Sequence, residues 1–190
     1  STQTGILVGG GTDLYVQRAD QLQTSDLRPT QSQSALHDIQ QIQSKLIIGA
    51  GCTPTDLLNN DPVIKTFPQF NRFCQLISSQ VIRNMGTLGG NFVNASPIGD
   101  LSIIFLALNA DLTLLNIKTQ QSRNLPLREL FIDYKKTALL PDELIQSISV
   151  EPHHGKLMNF EKVSKRTYLD IASVNSAMSI HLSGNEIKEI

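Results

Sequence analysis

Two glycine clusters constrain this chain more than any other feature. Gly9-Gly10-Gly11 runs into Thr12 and Asp13, and Gly89-Gly90 sits between Thr87-Leu88 and Asn91. Glycine lets a backbone take positive φ or approach another group closely. Such a cluster is therefore either a sharp turn or a nest, a place where successive amide N–H groups converge on an anion. No Lys or Arg occurs from residue 84 to 117. An anion held there would rest on backbone N–H groups and neutral side chains.

The rest of the chain is that of a globular protein. Its 190 residues suffice for one sizeable domain or two or three small lobes, with 40% hydrophobic and 17% charged residues. A net charge of −1, with basic residues scattered apart from Lys162, Lys165 and Arg166, supplies no field for nucleic acid or an anionic membrane. With 5% aromatics and no Trp, stacking platforms for single strands are not expected. Cys52 and Cys74 stand alone, without a CxxC or paired histidines at ligand spacing, so a structural zinc or iron–sulfur site is not expected on this segment. They fit a reducing, cytoplasmic setting. No apolar run approaches the roughly 20 residues of a membrane span. Both ends read as cuts through a longer protein.

Local pattern predicts mixed α and β structure. A strand is expected over 6–8, closed by the first glycine cluster, and loops with weak helix over 17–44, where no period holds. A second strand is expected over 45–48. Thr53 follows as an N-cap, with Pro54 at the first helical position and Asp56 in the first turn. Residues 62–82 carry apolar side chains at helical spacing, broken once at Pro68. The stretch 100–109 is apolar almost all round and reads as a buried helix capped by Asp100. Strands are expected over 111–117 and 143–150, with a boundary at Pro152. In residues 172–182, Ala172, Val174, Ser176, Met178, Ile180 and Leu182 share one mostly apolar face.

Several chemistries are excluded at this level. The GxG at Gly9 to Gly11 has Leu14 where a dinucleotide fingerprint needs a third small residue, and no βαβ unit is traceable. A phosphate-loop nucleotidase motif is absent. His153-His154 are adjacent, face opposite ways on an extended chain, and read as exposed loop histidines. Asp13 and Asp100 each follow a glycine turn, where a carboxylate either caps the backbone or contacts a ligand. No residue stands out as a catalytic acid, base or nucleophile, and none as a metal ligand.

Four segments occur in a telling order: ILVGGGTDL, IRNMGTLGGNFVNASPIGDL, YKKTALLPDELI and FEKVSKRTYLDIA. Together they resemble the FAD-binding domain of the molybdenum hydroxylases, and lean toward the small subunit of bacterial xanthine dehydrogenase. The resemblance implies an α+β fold of the vanillyl-alcohol-oxidase/CO-dehydrogenase flavoprotein type, two lobes clasping FAD and a third, C-terminal lobe. Residues 1–44 would be the remainder of the first lobe, which in the family carries a further strand and helix at its start. Residues 45–152 would be the second lobe, and 153–190 the start of the third.

Carried over by motif, Leu7, Val8, Gly9, Gly10, Gly11, Thr12, Asp13 and Leu14 fall on the family's first FAD loop. Thr87, Gly89, Gly90 and Asn91 fall on the second pyrophosphate loop, with Val93 near the flavin. Asp100 falls on an acidic position that hydrogen-bonds the cofactor, Ile145 on an apolar contact, and Lys162 on a lysine beside the isoalloxazine. Tyr134 and Lys135 fall on an aromatic–basic pair near the NAD site. The chain departs from the family pattern at Asp133, where glycine is common, and at Gly99, where Ser often precedes the aspartate. It also carries Leu169 where some members are acidic, a position that bears on the electron acceptor.

The function implied is electron transfer in purine catabolism. A molybdenum-binding subunit, carrying molybdopterin, oxidises the purine; electrons pass through an iron–sulfur domain to FAD, and hydride goes to NAD. Two alternatives stand beside it: the flavin subunit of another molybdenum hydroxylase using oxygen or a quinone, or an FAD-binding fragment with no turnover of its own.

Overall fold

The computed structural model describes residues 5–151, 156–184 and 186–190. Pro152, His153 and His154, read above as a strand boundary and two loop histidines, lie outside the described residues.

The chain opens with β1 (Ile6–Val8), the first glycine cluster, and two short helices, α1 (Leu14–Gln17) and α2 (Ala19–Gln23). It returns in β2 (Leu27–Pro29), parallel to β1 with Ile6 opposite Leu27 and Val8 opposite Pro29. This is a βαβ crossover in miniature, which the sequence reading does not find. The helices are about one turn each and bury only Leu22, so they leave no apolar stripe to read.

A hairpin follows, β3 (Ile39–Ile42) and β4 (Lys45–Gly49). β4 was expected, but β3 was not, because its two middle residues are glutamines and only Ile39 is even half-buried. Thr53 then caps α3 (Pro54–Leu58) as expected: its hydroxyl accepts from Asp56 N, and the Asp56 carboxylate accepts from Thr53 N at 2.8 Å. The helical stretch beyond breaks twice rather than once, into α4 (Asp61–Thr66), α5 (Phe70–Leu76) and α6 (Gln80–Arg83). The first break lies at Pro68. At the second, Ser78 takes φ +40°, and Arg83 Nη1 donates to the freed carbonyls of Ile77 (2.7 Å) and Ser78 (2.8 Å).

Next come α7 (Leu88–Asn94) and α8 (Asp100–Ala107), the latter buried and apolar as its composition requires. The remaining strands and helix are β5 (Asp111–Asn116), β6 (Ser122–Pro126), α9 (Leu127–Leu130), β7 (Phe131–Asp133), β8 (Lys136–Thr137) and β9 (Glu143–Val150). An antiparallel five-stranded sheet runs β3-β4-β9-β5-β6. Leu46 and Ile48 of β4, Leu112 and Leu114 of β5, and Ile148 and Val150 of β9 face one core shared with Leu57, Phe73, Phe92 and Ile104 of the helices. A bulge lets β9 bury both Leu144 and Ile145. The register shifts between Thr113, opposite Ser147, and Leu114, opposite Ile145, skipping Gln146.

The last sheet is antiparallel, β10 (Lys156–Val163), β11 (Val174–Ser183) and β12 (Glu186–Glu189). Phe160 of β10 meets Phe73 of α5 edge to face, with ring centroids 5.8 Å apart. The apolar face expected for β11 is turned outward: Val174, Met178 and Leu182 are exposed, while Asn175 and Ala177 face α8 and the core. The reason lies in α8, whose first residue offers the inner face a buried carboxylate.

Candidate functional site

The first glycine cluster leaves β1 at its carboxyl end, where open α/β units bind ligands. Four carbonyls from Val8 to Asp13 are engaged. Val8 O accepts from Thr30 N (2.9 Å), Gly9 O from Gln31 Nε2 (2.6 Å), Gly11 O from Tyr15 N (2.9 Å), and Asp13 O from Gln17 N (2.9 Å). Its N–H groups are not: among the described residues, those of Gly9, Gly10, Gly11, Thr12 and Asp13 donate to no acceptor. Gly11 holds φ +71°, a left-handed conformation of the kind nests use to converge successive N–H groups. Asp13 leads into α1 without capping it, its carboxylate making no bond to the helix, and Leu14 begins the helix half-buried. Leu7 lies opposite Arg28 in the ladder, and Val8 is buried.

The second cluster lies directly against the first. A Cβ on Gly9 would stand 2.6 Å from Thr87 Oγ1, and one on Gly10 would enter the Met85 carbonyl oxygen and stand 2.9 Å from Gly86 Cα. The two clusters therefore form one place. The second, however, is helix rather than turn. Thr87 is the N-cap of α7, with Oγ1 accepting from Gly90 N at 3.1 Å. Leu88 N donates to Cys52 O (3.0 Å) and Gly89 N to Ala50 O (2.8 Å). Gly89 is small because a Cβ would stand 2.9 Å from that of Ala50, so α7 sits on the turn after β4. Asn91 is oriented by Ser102, whose hydroxyl donates to Asn91 Oδ1 at 2.9 Å; among the described residues no acceptor takes its amide NH2. Val93 is exposed on the same short helix.

The third element is a buried ion pair. Lys162 Nζ donates to Asp100 Oδ2 at 2.7 Å and to Leu76 O at 2.8 Å; the side chains are 3% and 11% exposed. Asp100 is the first residue of α8 rather than its cap, which is Gly99. Lys162 is thus withdrawn from the basic cluster in which it sits in sequence, while Lys165 and Arg166 are exposed. Asn175 completes the group, donating from Nδ2 to Asp100 Oδ1 (2.8 Å) and Ile98 O (3.2 Å). Nothing in the sequence singles it out except its polar place in an apolar strand.

Ile145 is enclosed in the core opposite Leu114. Tyr134 and Lys135 form the β7–β8 turn, with Lys135 at φ +51° and Tyr134 72% exposed. Asp133, the departure from glycine, accepts from Tyr134 N at 2.7 Å and fixes the turn. Gln17 ties this turn to the glycine site: its Oε1 accepts from Lys135 Nζ (3.0 Å) and its Nε2 donates to Asn94 Oδ1 (3.2 Å). Leu169 is exposed at φ +59°, its carbonyl bonded to Arg166. The Ile171 N–H and Arg166 hold the Asp170 carboxyl below its ordinary value.

Cys52 and Cys74 are free, and burial pushes both thiols up to about 12, so neither is a thiolate at neutral pH. Among the described residues no three His, Cys, Asp or Glu side chains gather as metal ligands, and no helix is long and apolar enough to cross a membrane.

Residues 2–154 match the family described as the FAD binding domain in molybdopterin dehydrogenase. The chain is 34% identical over 143 residues to the glyceraldehyde dehydrogenase medium chain of Sulfolobus acidocaldarius, covering 75% of this chain and 50% of that one. It is 32% identical over 164 residues to the xanthine dehydrogenase of Emericella nidulans, covering 80% of this chain and 12% of that one. The fold is similar to carbon monoxide dehydrogenase from Hydrogenophaga pseudoflava, with a TM-score of 0.89 at 25% identity over 97% of this chain and 64% of that chain. The chain thus spans half or less of these two relatives, and under two thirds of the solved structure.

Proposed function

The chain belongs to the FAD-binding family of the molybdopterin dehydrogenases, and we propose that it is the flavin-carrying part of a xanthine dehydrogenase-like oxidoreductase. In this reading it takes electrons from an iron–sulfur domain, fed by a molybdenum-binding subunit, and hands hydride to NAD. The observation that carries the reading is the run of N–H groups from Gly9 to Asp13 with no acceptor among the described residues, set against Thr87 and walled by backbone. A dinucleotide diphosphate satisfies such donors without a lysine. Thr87 and Asn91 complete the polar wall, while Gly89 contributes by its size, which seats α7, and Gly90 by leaving Thr87 Oγ1 uncrowded. Asp100 and Lys162 would hold the flavin end, since Lys162 has three donors and two protein acceptors.

Bound FAD supplies the redox chemistry, and the chain's residues bind, orient and tune it. Tyr134 and Lys135, exposed and tied to the glycine site through Gln17, would meet the nicotinamide dinucleotide. The 32% identity with the Emericella nidulans xanthine dehydrogenase supports the choice of substrate.

A second reading is a flavin subunit that passes electrons to oxygen or a quinone. Likeness to the carbon monoxide dehydrogenase favours it. Steady-state turnover of the full-length complex separates the two. Xanthine-dependent NADH formation is expected, whereas reduction of oxygen or a quinone without NADH would establish the second. A full-length flavoprotein that leaves FAD fluorescence and its own thermal stability unchanged on titration would overturn both.

A further inference from the structure

Asp100 has both carboxylate oxygens occupied, and the two donors come from one cross-strand pair. Lys162 of β10 and Asn175 of β11 lie directly opposite each other in the antiparallel register. Lys162 takes Oδ2 and Asn175 takes Oδ1. The same two side chains bind backbone carbonyls as well: Lys162 that of Leu76, the last residue of α5, and Asn175 that of Ile98, just before α8. The hairpin thus staples two segments, the end of α5 and the start of α8, around one carboxylate. A burial this deep is costly for an ammonium unless geometry and hydrogen bonds compensate it. Removing Asn175 would leave Oδ1 of a nearly buried carboxylate unsatisfied and free Asp100 to turn, taking Lys162 with it.

We propose that Asn175 is a positioning residue of the flavin site, acting through Asp100 to set where the Lys162 charge stands. The inference rests on the reading above that Lys162 faces the flavin. A cation held beside a redox group favours its reduced, more negative form. The consequence of Asn175 is then a property of the bound flavin rather than of the fold alone.

The test is a double-mutant cycle in the full-length flavoprotein, with FAD affinity and flavin midpoint potential as readouts. Asn175→Leu, which keeps the side-chain volume, is made alongside Asn175→Ser, which removes the reach without adding apolar bulk, and Lys162→Met. Lys162→Met is expected to lower the potential, and each Asn175 variant to shift it toward the Lys162→Met value and to weaken FAD binding about tenfold. In the Lys162→Met background either Asn175 change is expected to shift the potential no further, whereas an effect of Asn175 on the flavin that does not pass through Lys162 predicts additive shifts of the potential. If Lys162→Met lowers the potential while both Asn175 variants leave affinity and potential unchanged, the positioning role is overturned and the flavin reading stands. If Lys162→Met moves neither, the flavin reading of this end of the site falls, and the positioning role with it.

Discussion

Gly10 lies so close to Met85 that a single added methyl group would enter the Met85 carbonyl oxygen. A chain segment that begins after the first strand and one that precedes the seventh helix are thereby pressed together, backbone against backbone. Neither neighbour is the far end of a flexible side chain, so neither can give way cheaply. Gly10→Ala is expected to push the two segments apart and reduce FAD affinity by more than about 100-fold, or ~2.7 kcal/mol. Fluorescence titration of the purified variant checks it.

Gly89 acts differently. Its N–H already donates to Ala50 O, and its missing side chain is what lets α7 rest on Ala50. Gly89→Val is therefore expected to destabilise the fold by about 1–3 kcal/mol through overpacking, together with loss of flavin. Denaturant unfolding of the apoprotein separates this from Gly10→Ala. A Gly89→Val variant of normal stability would show that α7 is not seated as described.

The Lys162–Asp100 pair makes a third prediction. Lys162→Met alone leaves a buried carboxylate unpaired and is expected to cost about 3–5 kcal/mol. Replacing both, as Lys162→Met with Asp100→Leu, should restore part of that loss, since the uncompensated charge is gone. Thermal unfolding of the two variants compares them, and equal melting temperatures would contradict the pairing.

Arg123 grips Glu143 with two bonds, Nε to Oε1 at 2.7 Å and Nη2 to Oε2 at 2.8 Å, and the Leu140 N–H adds a third at 2.8 Å. The guanidinium holds the Glu143 carboxyl below its ordinary value of 4.5. A depressed carboxylate stabilises the fold above its unfolded value and loses that stabilisation as pH falls through its folded one. Glu143→Gln should therefore lower stability by about 1–2 kcal/mol at pH 7. The gap between variant and parent should begin to narrow as pH falls below the ordinary value of 4.5 and close only once pH passes the depressed folded value, measured by unfolding across pH.

The parts legible in the sequence are those where local chemistry and burial agree. Thr53, Pro54 and Asp56 write the start of α3 in three letters, and residues 143–150 form β9 with the bounds their pattern suggests. The misreadings come where a distant partner decides. Met178 and Leu182 look like an inward face, but Asn175 on the opposite face answers the buried Asp100, so the strand turns its polar side in. Gly89 and Gly90 disfavour a helix by propensity, yet the Thr87 cap and the Ala50 and Cys52 carbonyls fold them into one. The small β1–β2 crossover stays hidden because its helices bury little. At the site, both glycine clusters were legible as loops of one cofactor site, while the backbone contact of Gly10 with Met85 was not; Asn175 carried only the weak signal of a polar residue in an apolar strand.

The central claim is that the amides of Gly9 to Asp13 hold a diphosphate. Its most direct test compares the affinity of the full-length apoprotein for FAD with that for riboflavin, which has the same ring system and no phosphate. The account predicts FAD binding at one site at least 100-fold tighter, about 2.7 kcal/mol or more, with the preference abolished in Gly10→Ala. Equal affinity for the two flavins, or a preference that survives Gly10→Ala, would contradict it.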